Sequence, residues 1–190
     1  MNALVSLCIG VGLSTSTGFR ILVPFASLNA AALFGGFTLP PEMAWLNSYP
    51  AFFGLLIGTL IEVAAFYVPW VNDALDTVEF PAAVIAGTYL TGTFAADLPT
   101  LMQWSLAIFA GGGSAGAIQG LTSVTRLTSN TATGGCATPV TASVEWLSAL
   151  VLAILSLTLP VLAIALVIIV VLYALRKLSK RRGSIKRMIA

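Results

Sequence analysis

The chain has 190 residues, of which 58% are hydrophobic and 8% are charged, and its formal net charge is +2. Soluble domains are about 25% charged, so this composition excludes an ordinary soluble domain and indicates a protein surrounded by lipid. Histidine is absent, which excludes histidine-based catalytic triads and histidine metal sites. Seven of the nine basic residues lie between Arg176 and Arg187, so the rest of the chain carries two arginines against seven acids.

The first apolar segment, residues 3–23, is interrupted by small and hydroxyl-bearing residues and by Arg20. It is either one helix that packs closely through small residues, or a helix broken within the membrane with its hydroxyls facing a cavity. Those hydroxyls, the first candidates for a substrate path, are on Ser14, Thr15 and Thr17. Pro24 would clash with the carbonyl of Arg20, so a kink is expected between them. Residues 25–34 are too short to span alone and form either a re-entrant or interfacial helix or the end of a kinked one.

The second span is predicted at about 47–70 and carries Glu62. A carboxylate at membrane depth is a functional candidate, and its expected partner is Arg20 or Arg126. The alternative is a structural ion pair that locks two helices together. Close helix packing is expected at Gly54 and Gly58. Two further acids, Asp73 and Asp76, share a helix face, where a solvated acidic helix end is favoured over a cation site.

Three further apolar segments follow residue 79. Residues 80–96 are just long enough to cross a bilayer, and residues 101–127 contain Gln119, Arg126 and a ridge of small residues. That ridge, predicted to pack against another helix, is Gly112, Gly116 and Gly120. The polar stretch 128–141 is either a loop or a second broken segment. Residues 146–175 are predicted to form one long helix kinked at Pro160, in preference to a hairpin.

An internal repeat relates Ser6–Gly36 to Ser105–Gly135, with 8 identities in 31 positions at an offset of 99 residues. It predicts an all-α polytopic integral membrane protein of about five transmembrane helices, in which two inverted repeats begin with interrupted helices. The units are a first repeat at 1–78, a connecting helix at 79–98, a second repeat at 99–177 and a basic tail at 178–190. The basic tail places the C-terminus in the cytoplasm and the N-terminus outside.

Several strings resemble a family of small bacterial integral membrane proteins with relatives in photosynthetic lineages. They are Gly18-Phe-Arg20 with Val23-Pro24, Glu62 leading to Tyr67-Val-Pro-Trp70, Asn72-Asp-x-x-Asp76-Thr77, Ala86-Gly-Thr88, Gly111-Gly-Gly-x-x-Gly116 and Thr133-Gly-Gly135 followed by Pro139. That family is labelled as a domain of unknown function. The resemblance implies a polytopic membrane protein and supplies no activity, substrate or catalytic residue.

Two functions remain open at the level of sequence. The first is a small inverted-repeat transporter or channel for an anionic or zwitterionic solute or a lipid head group, with a path lined by the hydroxyls and by Arg20, Glu62, Gln119 and Arg126. The second is a non-catalytic accessory protein packed in a homo-oligomer or a larger membrane complex. An intramembrane enzyme is a distant third alternative and is not expected, since histidine ligands, a metal motif and a paired nucleophile are missing.

The expected location is the bacterial plasma (inner) membrane, with several spans and a cytoplasmic C-terminus. The expected partners are the lipid bilayer, anionic lipid head groups at Arg176–Arg187 and a second copy of the chain in a dimer. No metal, cofactor or nucleic acid is expected.

Overall fold

The computed structural model describes residues 2–170 and 172, except for the side chains of residues 69, 70, 72–74 and 76. The described residues form helices and no strand, which confirms the all-α class. The helices are α1 (Ala3–Thr17), α2 (Leu22–Gly35), α3 (Tyr49–Ala65), α4 (Pro69–Phe94), α5 (Thr100–Leu106), α6 (Gly113–Thr133), α7 (Thr138–Thr158) and α8 (Pro160–Val170). A 3₁₀ turn, Pro41–Leu46, precedes α3, and a π-helical stretch, Ala107–Gly112, joins α5 to α6 in one continuous path.

The chain breaks between α1 and α2, which is sharper than the expected kink. At the end of α1 the N–H of Gly18 bonds to the carbonyl of Thr15, so the last turn tightens and stops. Pro24 lies in the first turn of α2, where its missing N–H has no intrahelical partner to lose. Had the helix continued, the ring of Pro24 would have met the carbonyl of Arg20.

The two helices α1 and α2 form a hairpin whose tip, residues 18–21, lies inside the protein. Ser6 near the start of α1 and Leu39 just after α2 line the same pocket. Each arm rises only about 22 Å, whereas the hydrocarbon core of a bilayer is about 30 Å thick. Residues 25–34 therefore belong to the second arm of a hairpin that turns back inside the protein, and they do not continue α1 as one kinked helix.

Helix α4 is the centre of the fold and packs against α1 on one side and against the α5–α6 path on the other. Small residues permit the close approach. A Cβ added at Gly87 would lie 2.7 Å from the Cβ of Ala115 and 3.0 Å from the carbonyl oxygen of Gly111. Those distances are shorter than van der Waals contact, so only glycine fits at this crossing.

A second hairpin is formed by α7 and α8, and the single kinked helix predicted for 146–175 is wrong. Leu159 leaves the helical conformation, with φ −133° and ψ 68°, because the following proline disfavours the α region. Val144 and Val170 line the same groove, although a straight helix would separate them by about 39 Å. The chain therefore turns back at Leu159 and Pro160.

The bundle has two distinguishable ends. Four exposed aromatic side chains mark the end at which α1 begins, called here the aromatic end: Trp45, Tyr49, Tyr89 and Trp104. The connections at residues 66–68 and 134–137 lie at the opposite end, where the Tyr67 hydroxyl and the Ser143 hydroxyl are 2.7 Å apart. Helices α3 and α5–α6 run from the aromatic end to the opposite end, and α4 and α7 run back.

The two sequence copies follow different backbone paths. The first breaks and turns back at residues 18–21, whereas the second passes through the equivalent position as unbroken α6, with Gln119 inside the helix. The predicted interruption of the second copy is wrong, since its irregularity is the earlier π-helical stretch Ala107–Gly112. The predicted unit boundary after residue 78 falls within α4, and the polar stretch 128–141 is helical as far as Thr133.

Among the described helices, α7 is long and apolar enough to cross a membrane by length and composition. Helices α1, α2, α3 and α8 are apolar but shorter. One such helix is weak evidence for membrane association. The basic tail Arg176–Arg187 lies outside the described residues.

Candidate functional site

The tip of the first hairpin carries Arg20 into the centre of the bundle, where the side chain is fully buried. The break at Gly18 makes this possible, since a Cβ at Gly18 would lie 2.7 Å from the Cβ of Ile118 on α6. Glycine therefore lets the tip approach α6 closely. The guanidinium then reaches the helices on both sides of the tip.

Four charged side chains from four segments meet at this tip and form what we call the charge cluster: Arg20, Glu79 of α4, Arg126 of α6 and Glu145 of α7. Arg20 Nη2 lies 2.9 Å from Glu145 Oε2, and Arg20 Nη1 lies 3.7 Å from Glu79 Oε1. Arg126 Nη2 lies 3.4 Å from Glu79 Oε2, and Arg126 Nε lies 3.1 Å from Glu145 Oε1. Each carboxylate therefore bridges both arginines, and the formal charges of the four groups cancel.

Burial of the charge cluster is nearly complete, at 0% and 1% exposure for the arginines and 6% for each glutamate. Moving a charged group out of water costs several kcal/mol even after relaxation, and good ion-pair geometry offsets this without a large surplus. The net contribution to folding stability is therefore small. Because the cluster adds little net stability, it is a candidate functional site.

Phe66 and Gln119 complete the surroundings of the charge cluster. The ring of Phe66 lies beneath both guanidinium groups, with its centroid 3.6 Å from Arg20 Cζ and 4.7 Å from Arg126 Cζ. Such cation–π contacts are worth about 2 kcal/mol or more when water is excluded. Gln119 Nε2 donates to Glu79 Oε2 at 2.8 Å. The aromatic face and the amide hold the cluster on two further sides.

Two polar atoms at the cluster have neither a hydrogen bond nor an ion pair among the described residues. These are Arg20 Nε, a donor, and Gln119 Oε1, an acceptor. Buried polar groups in folded proteins are almost always paired with protein or with water. The site therefore has capacity for water or for the polar group of a ligand.

Glu62 lies beside the charge cluster and caps the second arm of the hairpin. Its carboxylate accepts hydrogen bonds from the N–H of Ile21 at 2.7 Å and from the N–H of Leu22 at 3.1 Å. These are orphan donors at the start of α2, where a carboxylate also interacts favourably with the helix dipole. The predicted pairing of Glu62 with Arg20 or Arg126 is wrong, because the broken backbone takes the carboxylate.

The predicted path hydroxyls bind the backbone. Ser14 Oγ donates to the carbonyl of Gly87 at 2.6 Å, and Thr17 Oγ1 to that of Ser14, also at 2.6 Å. Thr15 Oγ1 donates to the carbonyl of Val11 at 2.8 Å, within α1. Ser14 and Thr17 are fully buried between helices. They join α1 to its neighbours, and of the candidate path residues the structure brings Arg20, Gln119 and Arg126 together, with Glu62 beside them.

Of the five predicted packing glycines, four lie against another helix and one does not. Gly112, Gly116 and Gly120 all face α4, near Thr88, Val84 and Phe80 respectively. Gly58 packs against Leu22 of α2, whereas Gly54 has nothing within 4 Å. Asp73 and Asp76 fall in the first turns of α4, and their side chains lie outside the described residues. The side chains that are described include no group of three or more candidate metal ligands.

Sequence reasoning missed Glu79, Glu145 and Phe66 as parts of the site. Glu79 ends an acidic segment and Glu145 opens an apolar run, so each resembles a solvated helix end. The available signal was charge balance. Two arginines far from the basic tail need two counter-charges, and these two glutamates have apolar neighbours on their C-terminal side.

Comparison with protein families gives a match over most of the chain. The model of a family described as "Domain of unknown function (DUF4126)" matches residues 7–180. Neither the curated proteins nor the solved structures contain a match to this chain.

Proposed function

We propose that this chain, which belongs to the family described as a domain of unknown function, is a small membrane transporter or channel for a zwitterionic solute or lipid head group. The observation that carries the proposal is the charge cluster at the tip of a broken helix hairpin. In a bilayer, non-helical backbone is tolerated where it is buried in protein or lines a water-filled cavity. Broken helices at that depth are typical of substrate and ion sites.

A multi-span arrangement is supported by the outer surface and the ends of the bundle. On α3 the side chains of Phe53, Ile57, Leu60 and Ile61 are between 56% and 64% exposed, which suits lipid contact. We propose five spans, α3, α4, α5–α6, α7 and a last one that begins at α8, where the sequence stays apolar as far as Leu175, with the hairpin α1–α2 re-entrant. The aromatic end then lies outside, and the basic tail that follows α8 lies in the cytoplasm. A bacterial plasma-membrane location and a dimer remain part of the proposal.

Charge chemistry of the cluster favours a zwitterion. Two guanidinium groups match a carboxylate or phosphate, and two carboxylates match an ammonium group. A ligand with both charges can exchange one set of ion pairs for another without leaving a buried charge uncompensated. A simple anion would strand the two glutamates. The anionic substrate considered from the sequence is therefore disfavoured relative to the zwitterion.

The test is flux into liposomes that contain the purified protein, with a betaine, an anion and a cation as solutes and a labelled zwitterionic lipid to follow scrambling. We expect flux of the betaine or the lipid. The double substitution Arg20→Met with Glu145→Met keeps the cluster neutral and should abolish that flux. Glu42→Gln, an exposed acid at the aromatic end, is the matched control and should leave flux unchanged. Flux that survives the double substitution would remove the cluster from the path.

The second candidate function is an accessory protein of a larger membrane assembly. The observation in its favour is the dense, directional packing of α1, in which Ser14 and Ser16 bond to backbone carbonyls of α4 and α7. Such a helix is held rigidly. A well-folded protein that passes none of the solutes and scrambles no lipid would favour this function.

A further inference from the structure

A pocket of about 320 Å³, called here the aromatic-end pocket, lies where α1 begins and where α2 and α4 end. Small-molecule sites in proteins measure about 300–1,000 Å³, so a small ligand fits. The walls combine apolar residues, among them Leu39, Pro40 and Phe94, with hydroxyl groups and a carboxylate. Helix α4 rises about 22 Å between Glu79 of the charge cluster and Phe94, so this pocket is a separate site.

Three polar side chains of the aromatic-end pocket have neither a hydrogen bond nor an ion pair among the described residues: the hydroxyls of Ser6 and Thr38 and the carboxylate of Asp97. Thr38 and Asp97 are exposed and lie at the mouth of the pocket. Ser6 is 5% exposed and lies on its inner wall. Buried polar groups are almost always paired with protein or with water. An unpartnered hydroxyl on the inner wall therefore indicates an occupant with a polar group.

The electrostatics of the aromatic-end pocket favour a cationic occupant. Asp97 is the charged residue of the described lining, and no cation stands beside it there. Helices α2 and α4 end at the pocket with partial negative charge, whereas α1 begins there with partial positive charge. With two helix ends against one beginning, the helix dipoles add to the charge of Asp97. An anion is therefore disfavoured, and a neutral alcohol would gain weaker hydrogen bonds than a charged donor.

We propose that the aromatic-end pocket binds a primary ammonium group, with its three N–H donors directed to Asp97, Ser6 and Thr38. The group belongs to a small soluble amine or to the head group of a lipid, whose phosphate would remain in water at the mouth. A quaternary ammonium has no N–H and leaves both hydroxyls unpaired. A Ca²⁺ ion needs about six to eight oxygen ligands, more than these side chains supply. This site lies apart from the charge cluster, and its occupation requires no transport.

The experiment is equilibrium binding of radiolabelled ethanolamine to the purified chain in non-ionic detergent. We expect saturable binding. Tetramethylammonium, a cation without N–H, and ethylene glycol, a neutral alcohol, should displace the label only at concentrations at least about tenfold higher than unlabelled ethanolamine requires. Short-chain phosphatidylethanolamine identifies the source of the group. Displacement at a lower concentration than ethanolamine assigns the pocket to a lipid head group, and displacement at a higher concentration assigns it to a soluble amine.

Two variants locate the amine. Asp97→Asn removes the charge and keeps the shape of the side chain, and Ser6→Ala removes the acceptor on the inner wall. Each should weaken ethanolamine binding at least about tenfold, since a charged hydrogen bond is lost. Glu42→Gln removes an equal charge at the same end, outside the lining of this pocket, and is the matched control. It should change binding less than about twofold, because exposed charges are screened by salt.

Three results would overturn the inference. The first is a folded protein without saturable ethanolamine binding. The second is equal weakening by Glu42→Gln and Asp97→Asn, which indicates general attraction to a negative surface. The third is loss of binding in the double variant Arg20→Met with Glu145→Met, which would place the amine at the charge cluster. Since the assay needs no transport, a chain that binds ethanolamine but passes no solute keeps the amine site and loses the transport function, and the opposite result does the reverse.

Discussion

Each glutamate of the charge cluster contacts both arginines, so no member can be removed without leaving an uncompensated charge in a buried place. Removing one partner of a buried ion pair costs about 3–5 kcal/mol, whereas replacing the whole pair with apolar groups is often neutral. Replacing one charged member of the cluster should therefore destabilise the protein strongly, whereas replacing an arginine together with a glutamate should cost much less stability. This asymmetry distinguishes an ion-pair network from independent charges at the same depth.

A double-mutant cycle tests that network. Arg20→Met and Glu145→Met should each lower the free energy of unfolding by about 3–5 kcal/mol, and the double variant should lose less than the sum. The measurement is the unfolding transition in detergent for the four proteins of the cycle. Glu42→Gln, an exposed acid, should change stability by at most about 0.5 kcal/mol. Additive losses would mean that Arg20 and Glu145 act separately.

At the residue scale, the sequence identifies the side chains that are costly to bury but not the residues that they contact. Arg20, Glu62, Gln119 and Arg126 stand out because charged and amide groups are rare in apolar segments. The pairing of Arg20 with Glu145 joins residues 125 positions apart, so it depends on how α7 lies against the hairpin tip. The sequence predicts that Glu62 pairs with an arginine. In the structure it binds the N–H groups of Ile21 and Leu22 instead, and these groups become available only because the helix breaks before α2.

At the scale of elements, glycine decides how closely helices approach. Gly87 of α4 lies close to Gly111 and Ala115 where α4 crosses the α5–α6 path, whereas Gly54 of α3 faces open space. The same residue type therefore has opposite roles in two helices. In the first it is required by contact, and in the second it lowers intrinsic helix stability without a compensating contact.

The pair gives a matched prediction. Gly87→Ala should destabilise the protein by about 1–3 kcal/mol, because the new methyl group overlaps Ala115 and the helices must separate. Gly54→Ala should be neutral or stabilising by up to about 1 kcal/mol, since alanine favours a helix over glycine. Thermal unfolding of both variants in one detergent provides the comparison. Equal destabilisation by the two substitutions would contradict the packing assigned to α4.

The hairpins show which elements the sequence could predict. Pro24 and Pro160 both predict a disruption, since each removes a helix hydrogen bond and disfavours the helical conformation of the residue before it. Whether a disrupted helix continues or turns back depends on the packing of the second arm. Leu28 of α2 and Val167 of α8 both find core partners that lie alongside the first arm.

At the scale of the whole molecule, the proposed topology places the N-terminus and residues 36–48 on the same side, because the first hairpin enters and leaves at the aromatic end. In that topology the connection 134–137 faces the cytoplasm. Cationic segments remain in the cytoplasm, so the aromatic end should face outward. Cys136 is exposed in that connection and is a natural probe of its side.

Labelling with a membrane-impermeant maleimide tests the topology. In a Cys8→Ala background, Cys136 should react only after the cells are permeabilised. Thr38→Cys, with both native cysteines replaced by alanine, should react in intact cells. Labelling of Thr38→Cys only after permeabilisation would instead place the aromatic end in the cytoplasm and contradict the proposed orientation.

The sequence by itself determined the helical class, the membership of a family without known activity and the rarity of buried charge, because composition and local pattern decide these. It also gave an apparent repeat whose two copies fold differently. The first copy has Pro24 and turns back, whereas the second has Ser123 at the equivalent position and stays helical. Only the tertiary structure decided which charges meet, since the cluster is assembled from four segments whose contacts depend on the packing of the whole bundle.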